Sequence, residues 1–375
     1  MKISLIFLLF LTNAYAIDAD KFCKKHVEES SSLSVQPDLE QGEKWTSLDE
    51  KESKKVLSLF CHVLLKDTLE SDTPKLMRRD AHGKHHGCVR ADIEIDNSKL
   101  AKQDRVGLFA TNKEYKSWIR FSNGRSLDDT DLDVRGMAVK IMNVDYNSYL
   151  NEVGIEEQNP VHDLVFMNSE EFFLERVQDY VYLMTQDFLT WIKNDKFRLF
   201  KKLGRLGSAM FEKPISPERT SYFSAVPYKL GKSNIKMKLE PRSKKIVQTR
   251  AWKKSHKRHS DYLSERLISR VPNSEVYYDL YVQKNSGKYD IERPIDEWST
   301  KDSPYVKVAS IKIHKQKDVA KNQEFCENLT FNPWRAHPEN RPMGRINRTR
   351  LDVYKAQAKM RHLYNKAPYP RPLDY

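Results

Sequence analysis

Alternation of apolar and polar positions dominates the middle of the chain. Val89–Ile95 alternates with charge, Trp118-Ile119-Arg120-Phe121 repeats the pattern, and Val134–Met142 sets Met137, Val139 and Ile141 on one face. Asp163–Met167 is a compact apolar run, and Ile235–Leu239, Val276–Val282 and Val306–Ile313 follow downstream. Successive side chains of a strand point to opposite faces, so a period of two, or a β-branched content, predicts a strand at each place. About seven strands without regular intervening helices favour an antiparallel barrel or sandwich over a parallel α/β sheet. The helical period appears in three zones. A short amphipathic helix carries Val56, Leu57, Leu59, Phe60 and Leu64. Glu170–Lys202 spaces Phe172, Phe173, Val177, Tyr180, Leu183, Phe188 and Ile192 as a helix would, and Asn347–Leu363 is helical in composition.

The two ends differ from this body. One lysine, an apolar run from Ile3 to Leu11 and the ending Ala14-Tyr15-Ala16 predict a secretory signal peptide over residues 1–16, too short to span a bilayer. A mean hydropathy of -0.72 makes so greasy a start hard to explain as a core helix. Residues 17–50 are polar and weakly periodic, which predicts an arm or loosely packed linker. Residues 51–366 are taken as the folded domain. The proline-rich tail, residues 367–375, cannot be helical. The mature protein is thus expected to be soluble and exported, periplasmic or secreted, with no transmembrane segment.

Four cysteines, Cys23, Cys61, Cys88 and Cys326, permit disulfides in such a compartment, but three connectivities are open. No CxxC pair occurs, which disfavours a zinc ribbon or a thioredoxin-type site. Asn328-Leu329-Thr330 and Asn347-Arg348-Thr349 are glycosylation sequons. The formal charge is +13. Its densest run, Lys253-Lys254-Ser255-His256-Lys257-Arg258, has neither glycines to cradle phosphate nor interleaved aromatics, and reads as a solvated loop. Nucleic acid is not an expected partner.

Two clusters carry candidate chemistry. On a helix, residues four apart lie one above the other, so Arg350 lies against Tyr354, and Arg361 lies two turns further on nearly the same stripe. A guanidinium cannot lose its proton and favours the phenolate over the phenol, the form that binds a metal. Alone, the same spacing occurs wherever an arginine packs on a tyrosine ring. Upstream, Arg79-Asp80-Ala81-His82-Gly83-Lys84-His85-His86-Gly87-Cys88 crowds three histidines and a cysteine together. Zinc or copper ligation, a polar turn before a strand, and a general acid–base histidine are the readings, the turn being favoured over the metal.

Four segments, in order, resemble catalase. Arg79–Lys84 resembles the Arg-x-x-His-Ala-Lys segment bearing that family's distal histidine. Ile119-Arg120-Phe121-Ser122 and Asp133-Val134-Arg135-Gly136-Met137-Ala138-Val139-Lys140 resemble Val-Arg-Phe-Ser and Asp-Pro-Arg-Gly-Phe-Ala-Val-Lys. His162–Phe166 with Phe172-Phe173 resembles the distal-side strand and its phenylalanines, and Arg350-x-x-x-Tyr354 with Arg361 resembles the proximal helix. The likeness runs from about residue 75 to 365. It implies an α+β fold, an antiparallel barrel of seven to eight strands with added helices, around haem b. Tyr354 would be the axial iron ligand, kept phenolate by Arg350. Arg79, Arg120 and Arg361 would hold the propionates, and Phe173 would flank the distal pocket. His82 would shift a proton from the inner to the outer oxygen of a peroxide as the O–O bond breaks.

One position departs. The distal asparagine falls on Pro160, and Asn159 could serve only if the loop is displaced by one residue. The turn after His82 is short and the long wrapping segments of full-length catalases are missing, as in the smaller catalase-like branch. The expected activity is an exported haem peroxidase or weak catalase acting on hydrogen peroxide or an organic hydroperoxide. The alternatives are a fatty-acid hydroperoxide isomerase or lyase, and a haem-binding protein without catalysis.

Overall fold

The computed structural model describes residues 35–70, 76–152, 160–243 and 257–370, together with Lys21, Cys23, Lys24, Lys25 and Glu28. The signal-peptide stretch, Asn159, the basic residues Lys253–His256 and the last five residues of the tail lie outside them.

Among the described residues, nine antiparallel strands form one sheet. In chain order they are β1 (His85–Ile95), β2 (Glu114–Asn123), β3 (Arg135–Met142), β4 (Val161–Met167), β5 (Tyr222–Phe223), β6 (Tyr228–Leu230), β7 (Ser233–Pro241), β8 (Val276–Lys284) and β9 (Tyr305–Ile313). Pairing runs β5-β4-β3-β2-β1-β9-β8-β7-β6, and β5 also pairs with β7. Eight strands therefore close into a barrel, which removes the exposed edges of an open sheet. The seven long strands coincide with the seven alternating segments. The two not foreseen, β5 and β6, span two and three residues, too short to carry a period.

Alternation decides what each strand buries. On β2, Tyr115, Ile119 and Phe121 join the barrel core with Val139 and Ile141 of β3 and Leu164 of β4. The intervening Arg120 and Ser122 of β2, with Gly136 and Ala138 of β3 and Val165 and Met167 of β4, sit in register with one another on the opposite face.

The first long helix, Ser47–Glu70, greatly exceeds the short helix expected. A reciprocal cap starts it: the Asp49 amide donates to the Thr46 hydroxyl at 3.1 Å, and the Asp49 carboxylate accepts from the Thr46 amide at 3.0 Å. The zone expected as one helix from Glu170 is two, Val177–Thr185 and Phe188–Phe211, so Phe172 and Phe173 precede the helices. Gln186, left-handed at φ 56°, ends the first helix, and Asp187 caps the second through the Thr190 amide. The C-terminal helix runs Arg345–Asn365, as its composition predicts, and stops before Pro368.

Part of the arm is not loosely packed. Glu43, 1% exposed, accepts from Arg341 at 2.7 Å, Arg348 at 2.6 Å and the Gly344 amide at 2.8 Å. A buried carboxylate satisfied by two guanidiniums holds the stretch against the start of the C-terminal helix. The cysteines pair as Cys23–Cys61 and Cys88–Cys326. The second closes a span of 238 residues and fastens the short helix Gln323–Asn328 to β1. Among the described residues no helix is long and apolar enough to cross a membrane.

Candidate active site

A cavity lies between the outward face of β2–β4 and one stripe of the C-terminal helix, with about 270 Å³ open to the centres of water molecules. The strand wall supplies Arg120, Ser122, Gly136, Ala138, Val165 and Met167. The helix supplies Thr349, Arg350, Val353, Tyr354, Gln357, Ala358 and Arg361, a spacing of three and four that keeps one side of a helix turned to one surface. Val56 and Phe60 of the first long helix, and Phe172, Phe173, Tyr180, Leu183 and Met184, close an apolar side. Arg79 and His82 enter from the segment before β1.

His82 is held from four directions. Its backbone is left-handed, φ 63°, an unusual conformation for a residue with a Cβ. Its amide donates to the Gly124 carbonyl, and its own carbonyl accepts from Arg120 at 2.8 Å. The ring Nδ1 lies 2.9 Å from the Asn123 carbonyl and 3.1 Å from the Ser122 hydroxyl. A carbonyl can only accept, so Nδ1 carries the proton and Nε2 carries the lone pair. The ring rests on Gly136, where an added Cβ would lie 2.4 Å from Nδ1. Burial above all, then the positive charge of Arg120, lowers the imidazole to about 4, so the ring is neutral near pH 7.

Tyr354 meets Arg350 as the helical spacing requires. Arg350 Nη2 donates to the phenol oxygen at 2.9 Å, while Nη1 donates to Asn347 Oδ1 at 2.9 Å and so fixes the fork. Tyr354, Tyr228 and Tyr180 outweigh the burial of Arg350 and raise its pKa, so the guanidinium stays charged.

The remaining cations converge. Arg79 and Arg361 both approach Glu327, at 3.4 and 2.9 Å, and both donate to its carbonyl, at 3.1 and 2.7 Å. Arg120 is 3% exposed, and its Nε, like that of Arg361, has no hydrogen-bond partner. Burial first, and then the nearby Arg79, lower the pKa of Arg120 and Arg361, the latter to about 9, while Glu327 opposes the shift in both. Three guanidiniums against one carboxylate leave a buried excess of positive charge, which suits a ligand carrying carboxylates. The Tyr354 oxygen, bonded to Arg350, shares the cavity with these three guanidiniums, a donor set whose chemistry fits a metal-bearing group with carboxylates.

Of the residues singled out from the sequence, His82, Arg79, Arg120, Phe173, Arg350, Tyr354 and Arg361 all line this one cavity, and Phe173 stacks on Phe172 with ring centroids 4.9 Å apart. Asn159 lies outside the described residues, and Pro160 is exposed just before β4. The other histidines of the turn do not join the cavity wall. His85 Nε2 is 3.7 Å from Glu327, and burial, followed by Arg120 and Arg79, lowers it to about 2. His86 bonds Asn123 Oδ1 at 2.9 Å. Cys88 is spent in a disulfide. Three residues without an expected role stand beside the site. Ser122 and Gly136 fall inside segments the sequence had already picked out, whereas Glu327 comes from a helix with no preceding signal. Asn347, the second sequon, is fully buried and bonded to the carbonyls of Pro227 and Met343, so it cannot accept a glycan as folded.

No family model matches the chain, and no curated protein does either. Solved structures do. A fungal catalase matches at TM-score 0.60 and 18% identity over 84% of this chain and 65% of its own. A bacterial catalase matches at 0.58 and 17% over 84% and 63%. Catalase A from Saccharomyces cerevisiae matches at 0.58 and 17% over 91% and 70%. The fold is catalase-like, and the chain spans slightly less than two thirds of the first two catalases.

Proposed function

We propose that this chain is an exported haem b enzyme that reduces peroxides, as a peroxidase or weak catalase. One observation carries the reading: a neutral histidine with its lone pair on Nε2, an arginine-bonded tyrosine and three under-compensated arginines share one cavity on a catalase-like barrel. The two disulfides are compatible with the oxidising compartment that the N-terminal pattern implies.

Each residue has a task. Arg79, Arg120 and Arg361 bind propionate carboxylates, for which a planar guanidinium is suited. Arg350 donates to the Tyr354 oxygen and orients it as the residue that would ligate iron. A bound haem supplies the iron and the electrons that open the O–O bond. His82 Nε2 accepts the proton of a hydroperoxide from its inner oxygen and returns it to the outer oxygen, which leaves as water or alcohol. Asn123 and Ser122 keep the ring in the required tautomer, and Gly136 lets it sit close to the wall. Phe172, Phe173, Tyr180 and Leu183 exclude water from one side. That apolar side favours one second reading, a hydroperoxide isomerase or lyase acting on fatty-acid substrates.

Loading the full chain with haem and adding hydrogen peroxide or a fatty-acid hydroperoxide separates these readings. Donor oxidation is the expected result, oxygen release marks catalase activity, and a rearranged lipid selects the isomerase. A chain that takes up haem but reacts with no peroxide is a binding protein. A chain that takes up none defeats the proposal.

A further inference from the structure

The charge count at the arginine end of the cavity goes beyond the residues that would touch a haem. Among the described residues, Glu327 is the one carboxylate that pairs with these guanidiniums, meeting Arg79 and Arg361. Asp80, an acid at the cavity wall, is 2.9 Å from Arg125 and is matched there. His85, beside Glu327, is buried and neutral and adds no charge.

Glu327 is also fixed in place. The preceding residue, Cys326, is bonded to Cys88 of β1, and Phe325 packs on Trp118 with ring centroids 4.7 Å apart. The Glu327 backbone carbonyl accepts from both Arg79 and Arg361. A residue whose backbone is anchored by a neighbouring cross-link and by its own carbonyl is a built part of the cradle. With it present, the arginines have an excess of two positive charges, which two ligand carboxylates neutralise.

We propose that Glu327 is the resident counter-ion of the Arg79–Arg120–Arg361 cradle and limits it to two further carboxylates, so that the protein selects porphyrins by their number of acid groups. This rests on the haem reading of the cavity. It makes Glu327 a specificity-determining residue that never touches iron.

Metal-free porphyrins test it without any contribution from an iron–tyrosine bond. The haem-free full chain is titrated by absorbance and fluorescence with protoporphyrin IX, which has two carboxylates, and coproporphyrin, which has four. The wild-type chain should prefer the dicarboxylate. Glu327→Gln should move the affinity ratio toward the tetracarboxylate by about tenfold or more, the scale of a lost hydrogen bond to a charged group. Glu327→Asp, which keeps the charge, should hold the wild-type ratio. Arg361→Gln removes a cation instead of an anion and should move the ratio the other way, which keeps the test decisive if one variant folds poorly. An unchanged ratio in Glu327→Gln, or a shift of both charge variants in one direction, overturns the inference alone. A wild-type chain that binds neither porphyrin removes the haem reading, and this inference with it.

Discussion

The two walls of the cavity hold their reactive groups by opposite means. On the barrel side, His82 sits in a left-handed backbone conformation, with its amide, carbonyl and Nδ1 bonded to backbone or neighbouring side chains and its ring on a glycine. On the helix side, Tyr354 sits in a regular helix and depends on one side-chain partner, Arg350, four residues away. The first arrangement fixes position and tautomer, the properties a proton carrier needs. The second sets a cationic donor against the phenol oxygen, the contact a metal-ligating side chain would use. The walls should therefore fail differently: damage to the helix should cost cofactor, and damage to the barrel wall should cost chemistry.

The largest effect is expected from Tyr354→Phe. Removing the phenol oxygen takes the acceptor from Arg350 Nη2 and would remove the proposed iron ligand. Haem retention should fall by about a hundredfold or more, the upper scale for lost metal-ligand support, read as a missing Soret band after gel filtration. An unchanged Soret band would sink the assignment of Tyr354 and, with it, the division of labour between the walls.

Gly136→Ala should cost chemistry while leaving haem content in place. The new Cβ would lie 2.4 Å from His82 Nδ1, 2.5 Å from Cε1 and 2.9 Å from the Ser122 hydroxyl, so the ring must leave its place. Peroxide turnover should drop by about a hundredfold, the lower scale of a lost general acid–base, with stability reduced by about 1–3 kcal/mol through overpacking. Haem content should stay near wild type. If this variant lost haem as Tyr354→Phe does, the walls would be coupled and the contrast between them wrong.

The difference between the walls also explains what the sequence could reveal. A helix repeats every 3.6 residues, so Arg350, Tyr354 and Arg361 are already neighbours in one dimension, and the 2.9 Å contact follows from the spacing. The long strands were legible for the same reason at a period of two. His82, by contrast, is positioned by Asn123, Gly124 and Gly136, which pairing of β1 with β2 and of β2 with β3 brings near it. Its place could be anticipated only from likeness to known segments. Glu327 was invisible because its role comes from meeting Arg79 and Arg361, 248 and 34 residues away. The closing strand β5 was missed because two residues carry no pattern, and the Glu170–Lys202 zone misled because Phe172 and Phe173 mimic a helical face while preceding the helix.

The smallest effect, and the most direct probe of the barrel wall, is the titration of His82 in the haem-free chain. Burial and the charge of Arg120 lower this imidazole to about 4, while the bond to the Asn123 carbonyl resists the shift. A histidine proton resonance that is absent in His82→Gln should therefore move with a midpoint near pH 4. The folded value lies below the ordinary value of about 6.5, so protonation favours the unfolded chain. The stabilising contribution of the neutral ring is present above pH 6.5 and shrinks as the pH falls toward 4, which a melting temperature followed over that window should register as a modest decline. A ligand whose carboxylates engage Arg120 and Arg79 weakens two of the repulsions that keep the ring neutral. Loading with metal-free protoporphyrin should then raise the midpoint, since opposite charges placed beside those arginines cancel their effect on the imidazole. A midpoint already near 6.5 in the empty chain would mean a solvated ring. The barrel wall would then hold its histidine no more firmly than the helix holds its tyrosine.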